Sequence, residues 1–486
     1  MKLRTLNDVM TPVSPESLSA WETTKKELVE TLKFASSIEL LAHDAPLCAQ
    51  VFDTMEFENF VIEKVIFQSL PGYYVTGNLY RPKDTSKRYP AILNPHGHWT
   101  HGRRETIDRA RIPQRCANLA MRGMVAFIYD MIGYNDASQI PHQAEDPEWE
   151  KWNYGRFALQ MNNSVKAVDF VASLPYVDPE RIGCTGCSGG GTQTYFLTAY
   201  DARIKAAAPI NMASTRMQGG CICENTPFLR TDFCNIDYTM TIAPRPLFMS
   251  GSDGDWTVNS ETVEFPAVEK VYALYGAEDN YEHFYQSAPH CYNKPIRERV
   301  YRFFCKHFGI EDPFDGEIDF ELDTDRLLIG DIRKYVPAEG FIENDAMLFS
   351  EVREIMKANL AKRSAEEKAE YARRVYLLDK TFPLDIPYIV EHEDTEEPVI
   401  TLGGCPETLD FCGVRYLHTY NAAVDARRVN ALISLFRSCP AARFRASGKT
   451  AALCARAAGF VPGVKTELTE PDETAVMIPG EALTEI

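Results

Sequence analysis

The chain has 486 residues, 45% of them hydrophobic, which is more than one ordinary core accommodates and points to two or three domains. Its 51 basic and 69 acidic residues leave a net charge of -18, a balance that repels phosphate backbones and anionic membrane surfaces and argues against nucleic acid or membrane as a partner. Met1 to Val9 lacks the apolar core of a signal peptide, no apolar run is long enough to span a bilayer, and the 13 cysteines have no regular spacing, so a cytoplasmic protein with reduced thiols is expected.

Residues 1–58 carry helical patterning, with Leu18, Trp21, Leu28, Leu32 and Phe34 on one apolar face, and read as an N-terminal helical cap. Phe60–Phe67 and Tyr73–Tyr80 flank Pro71-Gly72 and predict a hairpin. Tyr89–Asn94 reads as a buried strand running into Pro95-His96-Gly97-His98-Trp99. A helix over about 111–122 and a strand over 123–130 follow, and this alternation implies a parallel sheet. Trp149, Trp152, Tyr154 and Gln160 suit either a surface that stacks on rings or the packing of a helix that ends near Leu174.

Arg181–Thr194 reads as a strand, a tight turn and a helix start, followed by a helix to Tyr200 and a strand over Ile204–Ile210. Gly186, Ser188 and Gly190 match G-x-S-x-G, in which small neighbours let a serine occupy strained backbone with its hydroxyl exposed. The same glycines would serve a turn that merely joins strand to helix, but the order strand, elbow, helix, strand favours Ser188 as a nucleophile. In acyl transfer on this layout, an oxyanion takes one amide from the loop after the earlier strand and one from the residue after the nucleophile, here His98 and Gly189. The strand Pro246–Ser250 leads to Asp253 and Asp255. Asp255 is preferred as the acid because Trp256 beside it could exclude water, with Asp253 in reserve. His290, ahead of a helix over Ile296–His307, completes the order nucleophile, acid, base, while His283 lies in a segment that looks packed. No metal site is expected. His96, His98 and His101 lack a clear carboxylate or thiolate partner, and Cys221 and Cys223, with Cys234 further on, lack a second pair.

The segments His96–Trp99 (HGHW), Gly186–Thr194 (GCSGGGTQT), Gly254–Thr257 (GDWT) and Pro289–Asn293 (PHCYN) together resemble acetyl xylan esterase-like α/β-hydrolases related to the dienelactone hydrolase group, over about residues 59–310. The resemblance implies an eight-stranded, mostly parallel sheet flanked by helices, and hydrolysis of carboxylic esters, often on acylated carbohydrates, through an acyl-enzyme. It assigns Ser188 as nucleophile, Asp255 as acid and His290 as base, and it needs no cofactor. Trp99, Trp152, Gln160 and Trp256 are the expected substrate contacts. The elbow is also similar to that of glucuronoyl esterases, but these carry an arginine where this chain has Gly189, which weakens a uronate-ester reading.

Residues 311–384 read as a charged helical linker and 385–486 as a smaller C-terminal α/β domain, a shortened hydrolase-like repeat in which Arg415–Asn421 precedes a helix to Phe436. Its would-be elbow, Ala446–Thr450, lacks G-x-S-x-G, so no second active site is expected. Nor is Gly448-Lys449-Thr450 a phosphate loop, because Arg443 stands where that loop needs glycine. A peptidase or amidase on the same fold and a non-catalytic binding protein are the rival readings. A small-molecule or oligosaccharide ester is the expected partner, and self-association is compatible with the sequence.

Overall fold

A computed structural model describes residues 8–144, 146–230, 232–392, 398–405 and 418–476. Its larger sheet has nine strands: β1 (Gln50–Glu56), β2 (Phe60–Leu70), β3 (Tyr73–Pro82), β4 (Tyr89–Leu93), β5 (Val125–Tyr129), β6 (Val177–Cys187), β7 (Ile204–Ile210), β8 (Leu247–Gly254) and β9 (Tyr281–Pro289). They lie in the order β1-β2-β3-β5-β4-β6-β7-β8-β9. The β1, β2 and β3 pairings and β3 on β5 are antiparallel, and every pairing from β5 to β9 is parallel. The central strands are apolar throughout, YPAIL in β4 and VAFIY in β5, because helices cover both faces and leave no wet side to pattern.

The expected hairpin forms, with Gly72 at φ 70° in its turn, where an added Cβ would meet the Gly340 carbonyl oxygen at 1.8 Å. The sheet differs from the expected eight strands by β1, which falls inside the segment read as a helical cap. A helix does occupy Leu18–Ser36 with Trp21, Leu28 and Leu32 buried. Only Met55 of β1 is buried, so this edge strand carries no apolar alternation and is held by its backbone ladder to β2.

Charged sequence past residue 310 forms helices over Asp345–Ala361 and Ala365–Val375, the second opened by a capping box in which Ser364 and Glu367 satisfy each other's amides. These helices are not merely solvated. Leu348, Val352, Met356 and Leu360 recur every four residues on one face and enter the core shared with the smaller sheet. That sheet has four strands in chain order, β10 (Tyr388–His392), β11 (Pro398–Leu402), β12 (Arg443–Ser447) and β13 (Lys465–Pro471), parallel except for β10 on β11. Ala446–Thr450 is its turn from β12 into the helix Gly448–Ala458, and Lys449 Nζ pairs with Asp425 at 2.9 Å. The positions 415–417 lie outside the described residues. No helix among the described residues is long and apolar enough to cross a membrane.

Two packing features set the rim at the carboxyl ends of the parallel strands. The turn after β6 places Ser188 at φ 60°, a left-handed backbone that costs a non-glycine residue of the order of 1–3 kcal/mol. The loop after β4 passes directly over it. A Cβ on Gly186 would lie 2.4 Å from the Pro95 carbonyl oxygen and one on Gly190 2.2 Å from the same atom, so both motif glycines are dictated by this crossing. Beyond it, the fully buried Arg103 donates to the carboxylates of Asp130 and Asp136, to Asn78 Oδ1 at 2.6 Å and to the Leu327 carbonyl at 3.1 Å. It thereby ties the loop after β4 to the end of β5.

Removing that cation strands two buried carboxylates. Arg103→Leu should lower the unfolding free energy by about 3–5 kcal/mol in urea titration, and a loss below about 1 kcal/mol would remove the network from the account. Gly186→Ala should cost about 2 kcal/mol or more by the same measurement, whereas Gly220→Ala, where an added Cβ meets nothing within 4 Å, should stay within about 0.5 kcal/mol.

Candidate active site

Ser188 is the half-buried N-cap of the helix Gly189–Tyr200, its amide donating to the Ile210 carbonyl at 3.3 Å. Cys187, beside it, is buried, and burial first of all pushes its thiol well above the ordinary range. Of two adjacent nucleophiles, the hydroxyl is presented by the turn and the sulfur is kept protonated in the core.

His290 follows β9, and its Nδ1 lies 2.8 Å from Asp255 Oδ2. The Asp255 side chain is 2% exposed and is fixed by further donors: Asn211 Nδ2 at 3.2 Å, the Thr257 amide at 2.7 Å and the Thr257 hydroxyl. With the Nδ1 proton donated to this carboxylate, Nε2 is left as the acceptor. It lies 3.9 Å from Cys187 Sγ, facing the elbow. Trp256 covers the imidazole with ring centroids 4.3 Å apart, and Trp99 stacks near it at 6.1 Å. Asp253, the reserve acid, is exposed and accepts the Ala288 amide at 3.0 Å. His283 is exposed on β9, bonded to Glu269 at 3.0 Å and stacked on Phe265. Of the two aspartates and the two histidines, Asp255 and His290 are the pair that meets.

The amides of His98 and Gly189 have no acceptor among the described residues, and Gly189 stands at the positive end of its helix. Gly97 lets the loop approach: a Cβ there would lie 2.9 Å from Ser188 Cβ.

Two of the expected substrate contacts are corrected. Trp152 is 1% exposed, packed in the core shared with the smaller sheet and overlain by Lys357. Gln160 is 1% exposed, with Nε2 donating to Gln193 at 3.0 Å and Oε1 accepting the Ile132 amide at 3.4 Å. Trp152 lies in the turn before the helix Arg156–Ser173 and Gln160 on that helix, and both are packed inside, so the packing alternative holds for both.

The three loop histidines separate. His96 is buried, donating from Nδ1 to the Gly97 carbonyl at 2.8 Å and accepting the Met131 amide at Nε2, and burial pushes its pKa down to about 3. His101 stays on the surface. His98 meets partners the sequence did not single out with it. One donor atom each from His98, His142, Cys221 and Cys223 lies within 4.8 Å of the others. Cys221 is held well below the ordinary thiol range, first by the hydrogen bond from Cys223 and then by His142 and His98, while burial pushes Cys223 up. Histidine and thiol partners here are 79 and 125 residues apart in the chain, so no local spacing announces them.

Residues 39–212 match the family model described as Acetyl xylan esterase (AXE1). The provisionally named hydrolase YtaP of Bacillus subtilis (strain 168) is 25% identical over 284 residues, which is 54% of this chain and 93% of that protein. The solved structure of methylesterase BT1017 superposes with a TM-score of 0.59 at 26% identity, covering 73% of this chain and 77% of the other. The parallel sheet and flanking helices give the chain the α/β-hydrolase fold, and over residues 39–212 it is similar to acetyl xylan esterases.

Proposed function

We propose that the protein is a serine esterase that cleaves acyl esters, acetyl first, of carbohydrates or related small molecules through an acyl-enzyme. The observation that carries this reading is the imidazole of His290, anchored by the buried Asp255 carboxylate, with its Nε2 3.9 Å from the sulfur of Cys187, the residue before the strained Ser188. His290 Nε2 takes the Ser188 proton as the hydroxyl adds to the ester carbonyl, and Asp255 holds the imidazolium in orientation. The amides of His98 and Gly189 donate hydrogen bonds to the carbonyl oxygen as negative charge develops on it. Collapse releases the alcohol with the proton from His290, and water activated by the same imidazole frees the acid. Trp99 and Trp256, on either side of the imidazole, exclude water and offer apolar surface to a sugar ring.

A second reading keeps the chemistry and exchanges the parts of the ester. Likeness to a methylesterase favours a methyl ester of a sugar acid, in which methanol leaves and the acyl group of the sugar acid is carried on Ser188. Hydrolysis rates on matched acetylated and methyl-esterified oligosaccharides, with an anilide as amidase control, choose among the three.

Ser188→Ala should lose on the order of 10⁶ in turnover and all labelling by a fluorophosphonate probe, while Cys187→Ala should stay within about tenfold of the parent. A purified Ser188→Ala protein that hydrolyses an activated acetyl ester at the parental rate would sink the proposal. Asp255→Asn should lose on the order of 10⁴ in kcat through the wrong imidazole tautomer, with Asp253→Asn close to the parent. Equal losses in the two variants would reassign the acid.

A further inference from the structure

Next to the elbow, but not part of the Ser188–His290 pair, four side chains from three loops converge. His98 comes from the loop after β4, His142 from the loop after β5, and Cys221 and Cys223 from the loop after β7. His98 Nε2 lies 3.3 Å from Cys223 Sγ and His142 Nε2 lies 3.1 Å from Cys221 Sγ. In a tetrahedral zinc site, with zinc–sulfur bonds of about 2.3 Å and zinc–nitrogen bonds of about 2.0 Å, neighbouring donors stand roughly 3.3–3.8 Å apart. These two nitrogen–sulfur pairs stand at about that spacing, and all four atoms lie within 4.8 Å of one another.

The surroundings are those of ligands rather than of packing. His142 Nδ1 is 2.7 Å from the Ile132 carbonyl, so its proton is placed there and Nε2 presents a lone pair to the cluster. Gln143 Nε2 donates to Cys221 Sγ at 3.3 Å, a bond that suits a thiolate. The loop bearing both sulfurs is clamped by Glu224, which accepts the Thr192 hydroxyl at 2.8 Å and the Gly220 amide at 2.9 Å. Both thiols are buried and His98 is exposed, which leaves an approach from solvent. Gly189 supplies the room: a Cβ there would lie 2.7 Å from His98 Cε1 and 2.9 Å from its Nδ1. The glycine that sets this chain apart from an arginine-bearing elbow is therefore what lets His98 stand over the helix start.

We propose that His98, His142, Cys221 and Cys223 bind one zinc ion in a closed tetrahedral site that pins the loop carrying the His98 amide beside Ser188. Two imidazole nitrogens and two thiolates fill the four positions and leave none for water or substrate, the arrangement of a structural zinc. The ion would hold three rim loops together and fix one oxyanion donor by its side chain. Metal binding stands independently of the proposed esterase activity, and only the positioning role rests on that reading.

The test begins with metal analysis of the full chain purified from zinc-supplemented medium. About one zinc per chain is expected in the parent, and less than about a tenth of that in His142→Ala and in the double variant Cys221→Ser/Cys223→Ser. Chelator-stripped, reduced parent protein titrated with Co²⁺ should develop the intense visible bands and thiolate charge-transfer absorption of a tetrahedral site, saturating at one equivalent. This readout carries the test if the variants fail to fold. A parent chain that holds no zinc and gives no such cobalt spectrum overturns the site, and so does octahedral cobalt without thiolate charge transfer. For the positioning role, stripping should lower kcat for an activated ester by about 10²-fold with zinc restoring it, and unchanged kcat in stripped protein overturns that role alone.

Discussion

The crossing of two loops within van der Waals contact governs the rim of the larger sheet. The chain leaving β4 runs over the turn leaving β6 so closely that the Pro95 carbonyl occupies the space a side chain at position 186 or 190 would need. Close packing of this kind has two consequences. It forces glycine at both positions, and it holds Ser188 in a left-handed conformation that an isolated turn would abandon. Strain at that residue is kept because β6, β7 and the helix Gly189–Tyr200 are each fixed by their own neighbours.

Electrostatics then decides which groups are usable. Arg103 neutralises Asp130 and Asp136 inside the protein, so neither aspartate, though close to the rim, is available as a base. Asp255 sits among an amide side chain, a backbone amide, a hydroxyl and an imidazole, and these donors fix the orientation of its carboxylate toward His290. Cys187 shows the converse. It is a stronger intrinsic nucleophile than serine, but burial keeps it protonated while the turn carries the hydroxyl outward.

The smaller sheet is not an appendage. Its Ile400 and Phe444 join one core with Phe436 from the helix His418–Ser438, with Leu348 and Met356 from the helix Asp345–Ala361 and with Trp152 from the turn before the helix Arg156–Ser173. Trp152 was a candidate for substrate stacking because tryptophan suits both tasks, an apolar body for packing and a flat ring for sugars. The core shared with the smaller sheet decided the matter, and nothing near Trp152 in the chain foretells it.

Patterns that act over a few residues were legible directly. The buried runs of β4, β5 and β7, the hairpin at Pro71-Gly72 and the glycine-flanked turn around Ser188 all follow from local sterics or from the burial of parallel strands. Three kinds of feature were decided only in three dimensions. Edge strand β1 has no apolar alternation and exists through its ladder to β2. The burial of Trp152, in the turn before the helix Arg156–Ser173, and of Gln160 on that helix depends on what covers them. The meeting of His98 and His142 with Cys221 and Cys223 joins loops distant in the chain, brought side by side because consecutive parallel strands end at the same edge of the sheet. Periodicity and turn chemistry report on neighbours in sequence, whereas contacts between crossover loops are set by strand order, which no single loop encodes.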